Sequence, residues 1–487
     1  MQRVGSRTVI CGLTSALAAG TLVASALTTP ASAHAVRGVD TSRNVFGSGY
    51  SPDPHRDSVY PGTGESSVDV LHYDLRLHWA PSTRTLKATA KLTMRPTATE
   101  QRFTLDLSSA LHVDAVAVDG AQTTYHRDGH ELIIRAPTGL RTNRVAHVRI
   151  RYHGTPKPAK APTSRSDEPT VGWHTLRDGR VWAMQEPYGA FTWYPVDDQP
   201  ADKAMYTITL NVPDRWTGVS SGHMHRTHKG HRMITRFTNR DPMAAYLVTV
   251  AIGPYRHYLD RGPHHLPISY WVPKGKPSYL KPLRKTPATL RWLESKLGRY
   301  PFDRAGILVT PSQSAMETQT MITMGAANFA YGGRDVRETV AHELAHAWYG
   351  DTVTPRNWDD LWMNEGFAMY VEARYTVHMG WHTWRYWQRE FARDDNYWRT
   401  VFGPPGDYRK DQFAQINVYY CTALMLEHLR TLLGAATFDG LLRAWPQTHR
   451  DGTADRDGYA AWVEHRTGTD VAAFLDRWLT SPTTPKS

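Results

Sequence analysis

The apolar residues in the first half of the chain recur mainly at every second position, which is the period of a half-buried β-strand. This alternation begins near Val68 and ends near Tyr258, and short turns such as Asp119-Gly120 interrupt it. The pattern predicts an N-terminal domain of antiparallel strands over residues 65–258. The clearest strand segments are residues 73–79, 86–94, 103–107, 113–118, 148–152, 206–212 and 245–250.

The period becomes that of an α-helix in the second half of the chain. Leu293 and Leu297, for example, lie on one face of an amphipathic helix that should end at Gly298. The change of period predicts a multidomain β plus α+β protein. Its second, mainly helical domain should occupy residues 259–480 and be followed by a loose tail, residues 481–487.

The first 33 residues form a separate segment that predicts export. Arg3 and Arg7 precede an uncharged, largely apolar run, and Ala31-Ser32-Ala33 supplies the small residues of a signal-peptidase site. We expect cleavage after Ala33 and a secreted, extracellular protein; an uncleaved anchor helix is the alternative. Because no later run is long and apolar enough to span a bilayer, we expect no stable membrane insertion after cleavage.

Two further stretches show no periodicity and contain many turn-forming residues. Residues 34–64 are rich in Ser, Gly, Pro and Asp, which predicts a flexible leader. Residues 155–166 are rich in Pro, Lys and Ser, which predicts an exposed loop within the β domain.

The composition excludes several classes of protein. With 487 residues, 40% of them hydrophobic, the chain can bury large cores and is not intrinsically disordered. The formal charge is +11, but the Lys and Arg residues form no contiguous block, so we expect no nucleic-acid partner. Two cysteines, Cys11 and Cys421, exclude a disulfide scaffold.

Residues His342-Glu343-Leu344-Ala345-His346 carry the clearest chemical signal. They lie in a predicted helix in which Asp335 can cap the N-terminal end. Residues four apart share one face of a helix, so both imidazoles can reach a single metal ion, with Glu343 beside it. A catalytic zinc ion needs a third protein ligand and one open position for water.

Glu365 is positioned to be that third ligand. The first helix is predicted to end at Gly350, and a second helical pattern begins near Asp359 and ends near Gly380. Two helices joined by a short loop pack antiparallel, so Glu365 can face the two histidines. The 18 residues between His346 and Glu365 match the spacing of the gluzincin zinc proteases, and we expect one Zn²⁺ per chain.

The sequence around these positions resembles the M1 family of zinc aminopeptidases. The resemblance implies a saddle-like N-terminal β-sheet domain and a thermolysin-like catalytic domain, in a short form that lacks the family's C-terminal helical domain. Ser314 and Thr318 replace Gly and Asn in the family's exopeptidase signature, and residues 420–422 depart from its usual Glu-Lys-Gly. The similar segments are residues 186–190, 193–198, 200–204, 314–318, 340–351, 357–358, 361–362, 364–368 and 418–423.

The resemblance also implies roles in the reaction itself. Glu343 would act as general base and then general acid. Tyr419 would donate a hydrogen bond to the developing oxyanion, although the adjacent Tyr420 leaves the register open. Glu338, one turn before His342, is either a partner that orients an imidazole or a solvated surface acid.

The implied substrate is a peptide with a free N-terminus. Glu317 and Glu186 would bind its α-ammonium group, because a buried cation needs anionic partners. Ala315 and Met316 belong to the same substrate-binding segment. Three alternatives remain open: a zinc endopeptidase of the same clan, an epoxide hydrolase that shares the metal, and an inactive binding protein on this scaffold.

Overall fold

The computed structural model of the chain describes residues 56–486. The predicted signal peptide, its cleavage site and most of the predicted leader lie outside these residues. The described end of the leader is packed against other parts of the chain. Asp57 Oδ2 accepts a hydrogen bond from the backbone N–H of Trp358 at 2.7 Å, and Tyr60 donates one to the carbonyl of Lys410 at 3.0 Å.

The N-terminal region is built from short strands, as the alternation predicts. Tyr73, Leu75, Leu77 and Trp79 of the first strand are buried, while the residues between them face outward. The strands are β1 (Val68–Ala80), β2 (Thr85–Pro96), β3 (Glu100–Asp106), β4 (Leu111–Val118), β5 (Ala121–Thr123), β6 (Tyr125–Asp128), β7 (Glu131–Leu140), β8 (Ala146–Gly154), β9 (Ala159–Lys160), β10 (Thr170–Thr175), β11 (Val181–Met184), β12 (Lys203–Pro213), β13 (Thr217–Ser220), β14 (His223–Lys229), β15 (Arg232–Ala244) and β16 (Val250–Gly253).

Three sheets assemble from these strands. The largest has eight strands in the order β14-β15-β12-β1-β2-β8-β4-β5, and the others have the orders β13-β16-β11-β10-β9 and β3-β7-β6. The prediction that all the strands are antiparallel is wrong for one pair, because β1 and β12 run parallel. Alternation along a strand records which face is buried but not the direction of its neighbour, and the long connection between these strands permits either direction.

The strand predicted over residues 245–250 is also corrected. Ala245–Leu247 forms a 3₁₀ turn, and the strand begins only at Val250. All of these residues are buried, so the segment is apolar on every side. A short, fully buried apolar run has no periodicity that separates a strand from a turn.

The second half of the chain combines one small sheet with packed helices. Its four-stranded sheet has the order β17-β18-β19-β20, with the last two pairs parallel. The elements are β17 (Tyr255–Arg261), β18 (Pro267–Pro273), α1 (Leu280–Leu283), α2 (Thr286–Leu297), β19 (Ala305–Thr310), β20 (Ile322–Gly325), α3 (Gly333–Ala345), β21 (Thr354–Pro355), α4 (Trp362–His378), α5 (Trp384–Arg393), α6 (Asp395–Phe402), α7 (Thr422–Leu433), α8 (Ala435–Thr448), β22 (Thr453–Ala454), α9 (Arg456–Thr467) and α10 (Ala472–Thr480).

Helix α2 ends as predicted, with Gly298 at a φ of 88°. The ends of α3 differ from the prediction. Gly332 precedes its first turn and no side chain caps it, so Asp335 lies inside the first turn and is not the cap. The regular helix ends at Ala345 and continues as the wide turn Ala347–Asp351, because Gly350 adopts a φ of 129° that a helix cannot contain.

Two hydrophobic cores organise the described residues. One lies among the N-terminal strands, and the other lies among helices α2–α5 and α7–α10 and the four-stranded sheet. Tyr419 packs against both cores, which places it at the boundary between the β-rich and helical regions. Among residues 56–486, no helix is long and apolar enough to cross a membrane.

Candidate active site

Helices α3 and α4 bring three predicted metal ligands to one point. The Nε2 atoms of His342 and His346 lie 3.3 and 3.5 Å from the same oxygen, Oε2 of Glu365. Helix periodicity places the two histidines on one face, although the regular helix α3 ends just before the second of them. Glu365 lies in the first turn of α4 and is 3% exposed.

Both imidazoles are oriented by contacts at Nδ1, the ring nitrogen that does not face Glu365. Nδ1 of His342 lies 2.8 Å from Oε2 of Glu372, and Nδ1 of His346 lies 3.0 Å from the carbonyl oxygen of Tyr349. A carbonyl or carboxylate oxygen accepts only, so each Nδ1 donates a hydrogen bond, and each imidazole can bind a metal ion through Nε2 once that nitrogen is deprotonated. The wide turn after α3 places the Tyr349 carbonyl where it can accept a hydrogen bond from Nδ1 of His346.

Glu372 is the orienting carboxylate, a role that the sequence suggested for Glu338. Glu338 makes no hydrogen bond to either imidazole within the described part of the chain. Burial, followed by the charge of Glu372, raises the pKa of Glu338 to about 8. The sequence does contain a signal for Glu372, since it lies seven residues after Glu365, two helical turns along the same face.

The donor set fits a tetrahedral zinc ion. Bonds of about 2.1 Å to a tetrahedral ion place two ligand atoms about 3.4 Å apart, and the two nitrogens lie at nearly this distance from Glu365 Oε2. Two imidazoles with one carboxylate form a ligand set used by catalytic zinc sites. All three ligand atoms lie within 4.8 Å of one another, which is compatible with one shared ion.

The charges around this point also favour a cation. Burial would raise the pKa of Glu365, but His346 and His342 outweigh it and hold that pKa well below its usual range. Burial would lower the pKa of His342, but its bonds to Glu365 and Glu372 raise it instead. The carboxylates therefore hold positive charge in the centre, which is the charge that a bound metal ion supplies.

Glu343 lies beside the three candidate metal ligands but does not belong to that ligand set. It is 7% exposed, and its carboxylate forms a cluster within 4.8 Å with His346 and Glu317. Burial raises the pKa of Glu343 to about 8, against the opposing effect of the two histidines. A carboxylate made more basic in this way is a stronger proton acceptor next to the metal position.

Glu186 and Glu317 come from different regions of the chain and meet next to Glu365. Glu186 follows β11 of the N-terminal region, and Glu317 lies in the connection between β19 and β20. Their carboxylates form a cluster within 4.8 Å with that of Glu365. Oε1 of Glu186 and Oε1 of Glu317 are buried without a hydrogen-bond partner, so each could accept a bond from a bound donor.

The segment before Glu317 is held as a short strand pair. The backbone N–H of Met316 donates to Thr323 O at 2.8 Å, and Thr323 N–H donates to Met316 O at 3.0 Å. The Met316 side chain is buried in the N-terminal core, and Ala315 is half-buried. This strand pair positions the adjacent Glu317. The backbone N–H and carbonyl of Met316 are both used in bonds to Thr323.

Tyr419 and Tyr420 point in different directions. The ring of Tyr419 stacks near His342, with centroids 5.9 Å apart. Tyr420 is buried against Trp387 and Phe391 of α5. Burial and the charge of Glu365 raise the pKa of Tyr419, so its phenol keeps its proton and can donate a hydrogen bond.

A loop of the N-terminal region reaches the segment that precedes Tyr419. The prediction of an exposed loop over residues 155–166 is wrong for its second half, because residues 162–165 bond to residues 412–415. Arg165 also donates to Oγ of Ser314, the residue that departs from the exopeptidase signature, at 3.2 Å. The bonds to the 412–415 segment include Phe413 N–H to Pro162 O (3.0 Å), Thr163 Oγ1 to Phe413 O (2.8 Å), Ser164 Oγ to Gln412 Oε1 (2.7 Å) and Arg165 Nη1 to Ala414 O (3.3 Å).

Comparison with known proteins identifies both regions. The model of the peptidase family M1 domain matches residues 282–478, and that of the peptidase M1 N-terminal domain matches residues 70–247. Aminopeptidase 2 of Candida albicans is 24% identical over 444 residues, covering 85% of this chain and 47% of its own length. The chain spans about half or less of the length of this and the other curated relatives that it matches.

Solved structures give the same result for the fold. An M1 zinc metallopeptidase from Deinococcus radiodurans is 27% identical with a TM-score of 0.78, over 88% of this chain and 97% of that one. A mutant of that metallopeptidase bound to a Tyr-Ser-Ala substrate is 26% identical with a TM-score of 0.77, over 88% of this chain and 98% of its own. The fold predicted from the sequence, a β-sheet domain with a helical catalytic domain, is confirmed.

Proposed function

Because the chain belongs to the peptidase M1 family, we propose that it is a zinc aminopeptidase that removes the N-terminal residue of peptides. The observation that carries the proposal is the pair of unpartnered carboxylate oxygens on Glu186 and Glu317, next to the metal ligands. A protonated α-amine donates up to three hydrogen bonds and carries the opposite charge. It would satisfy both oxygens, which otherwise remain buried at a free-energy cost.

The metal and its neighbours divide the chemistry. Zinc held by His342, His346 and Glu365 would polarise the scissile carbonyl and lower the pKa of a water molecule at the open position. Glu343 accepts a proton from the attacking water and delivers it to the leaving amine. The Tyr419 phenol donates a hydrogen bond to the carbonyl oxygen as negative charge develops there.

The two ammonium-binding carboxylates, Glu186 and Glu317, would determine how far the substrate's N-terminus lies from the metal position. Both carboxylates lie within 4.8 Å of the metal ligand Glu365, and Glu317 directly follows the strand pair of Met316 and Thr323. An ammonium bound there places the first peptide bond, and no later one, near the metal position. An internal peptide bond would leave the buried carboxylates unpaired, which disfavours endopeptidase cleavage.

A blocked N-terminus tests the proposal directly. We expect kcat/KM for an N-acetylated tripeptide amide to be at least about a hundredfold lower than for the same peptide with a free amine, since acetylation removes both the charge and its donors. The assay is peptide hydrolysis followed by mass spectrometry. A chelator should abolish the activity and added zinc restore it. Efficient cleavage of the acetylated peptide would instead identify an endopeptidase.

Glu372 gives a test of the metal centre. We expect Glu372→Gln to weaken zinc binding by about 10- to 100-fold, because it exchanges the carboxylate that orients His342 for a neutral amide. Competition with a chromophoric chelator measures the affinity. Glu338→Gln, which removes a neighbouring carboxylate that does not bond an imidazole, should leave the affinity within about threefold. Equal losses in both variants would exclude a specific role for Glu372.

The same proposal includes export of the enzyme. The basic start, apolar run and Ala31-Ser32-Ala33 site support a signal peptide that is cleaved after Ala33. Removal of Arg3 and Arg7 would lower the formal charge from +11 to +9. Intact-mass measurement of the protein collected outside the producing cells should give the chain that begins at His34. A mass that still includes Met1 would contradict cleavage.

A further inference from the structure

The exposed face of the eight-stranded sheet carries a concentrated positive charge. Six of the exposed cations at its outward positions lie in neighbouring registers of strands β1, β2, β8 and β15, far from the candidate active site in sequence. The basic face, as we name it, consists of Arg76, Lys87, Lys91, Arg149, Arg151 and Arg236, all of them exposed. Strand pairing therefore brings to one face cations that are separated along the sequence.

Strand register aligns these cations in rows. Arg76 lies opposite Thr89 of β2, which lies opposite Arg151 of β8. On the other side, Arg76 pairs in register with Thr209 of β12, which lies opposite Arg236. Neighbouring strands are about 4.8 Å apart, so this row places an arginine about every 10 Å, with a threonine hydroxyl between each pair.

A second row lies two residues along the strands and contains Arg149, Lys91 and Asp74 in register. At this row the face has a groove of about 450 Å³, whose lining includes Lys91, Arg149, His72, His147 and one carboxylate, Asp74. The groove shares Asp74, Lys91 and Arg149 with the second row, and the first row lies two residues away along the same strands. An elongated ligand could therefore contact several cations at once.

Little negative charge neutralises the basic face. Asp74 pairs with Arg76 at 3.4 Å. The cations Lys87, Lys91, Arg149, Arg151 and Arg236 make no ion pair with any other residue in the described range 56–486. Like charges this close repel one another, and a polyanion that neutralises several of them would relieve that repulsion.

We propose that the basic face binds a linear polyanion that carries phosphate groups at short, regular intervals. Four of its six cations are arginines, whose planar forks match phosphate oxygens, and the intervening threonines add neutral donors. The outward positions of β1, β2, β8, β12 and β15 hold no Trp, Tyr or Phe, so the face offers no platform for stacking nucleic-acid bases. None of these positions exposes a large apolar side chain that would insert into a bilayer.

The experiment compares two variants of the full chain with equal charge loss. The face variant carries Lys87→Gln, Lys91→Gln, Arg149→Gln and Arg151→Gln. The control variant carries Lys281→Gln, Arg291→Gln, Lys296→Gln and Arg389→Gln, at exposed positions of the helical region. The probe is end-labelled inorganic polyphosphate, long enough to cross the sheet, with binding followed by fluorescence anisotropy at a fixed, near-physiological salt concentration.

We expect the face variant to bind polyphosphate at least tenfold more weakly than the unmodified chain and the control variant to bind within about twofold. Both variants should keep the thermal transition and the hydrolysis rate of a small aminoacyl substrate. Equal losses in the two variants, or none in either, would overturn the proposal. So would a preference for oligothymidylate or for anionic phosphatidylglycerol vesicles over polyphosphate, because either would identify a different partner.

Lysine footprinting of the unmodified chain keeps the test independent of variant folding. Polyphosphate should protect Lys87 and Lys91 from acetylation and leave Lys281 and Lys296 as reactive as before. Protection of all four lysines, or of neither pair, would exclude the basic face as the specific site. Because no residue of this face belongs to the candidate active site, failure here leaves the aminopeptidase proposal intact.

Discussion

Glu343→Gln is expected to lower kcat/KM for a free tripeptide by about a thousandfold while the zinc content stays at one ion per chain. General acid–base catalysis typically contributes factors of this order, or about 4 kcal/mol of transition-state stabilisation. Glutamine has the same shape, but its amide cannot accept and return a proton. The carboxylate that it replaces lies beside His346 and Glu317, within reach of the position where water would attack.

Two measurements separate this effect from damage to the site. Zinc content by atomic emission should be the same in Glu343→Gln and the unmodified chain, because Glu343 is not a ligand in the predicted set. Glu338→Gln, on the same helix but without a predicted catalytic role, should retain activity within about threefold. Activity of Glu343→Gln close to that of the unmodified chain would exclude it as the base and would move the reaction to a different proton acceptor.

The candidate metal ligands could be predicted because helix geometry links sequence spacing to position. His342 and His346 are four residues apart on one helix, which determines that they share a face before any tertiary contact is known. The prediction of Glu365 as the third ligand needed a further assumption, that two consecutive helices pack against each other. The short connection between the helices and the resemblance to a known family both indicate this packing.

The supporting contacts could not be predicted in the same way. Arg165 meets Ser314 and Ala414, which are 149 and 249 residues away along the chain. No local period records such a contact, so the composition of a segment rich in Pro, Lys and Ser predicts only an exposed loop. The contact between Nδ1 of His346 and the Tyr349 carbonyl is a similar case, since helix propensity does not show that the wide turn ending near Gly350 brings the two atoms to 3.0 Å.

The basic face could not be predicted from the net charge of the sequence. The sequence has an excess of basic residues without a basic block, and this dispersion argues against a nucleic-acid arm. Alternation places every second residue of a strand on one face, so cations separated in sequence come together when the strands pair. Net charge predicts neither the surface nor its location, because strand order determines both.

Glu317→Gln is expected to lower kcat/KM for free peptides by about a hundredfold, or about 3 kcal/mol, which is the scale of one lost charge-assisted hydrogen bond. The amide would keep one acceptor but present N–H donors to an ammonium that needs acceptors. The hydrolysis rate of an N-acetylated peptide, already low, should fall by no more than about threefold, so the ratio between free and blocked peptides narrows. Zinc content should not change.

Glu168→Gln is the matched control for the proposed binding of the substrate ammonium group by Glu317. Glu168 is a further carboxylate near the site whose pKa is raised to about 7 by burial, against the lowering effect of Arg165. It does not belong to the clustered carboxylates of Glu186, Glu317 and Glu365. If the ammonium is bound by specific oxygens, Glu168→Gln should change kcat/KM by less than about threefold. A loss as large as that of Glu317→Gln would mean that the site attracts substrates by its total negative charge, and the preference for the first peptide bond would need another origin.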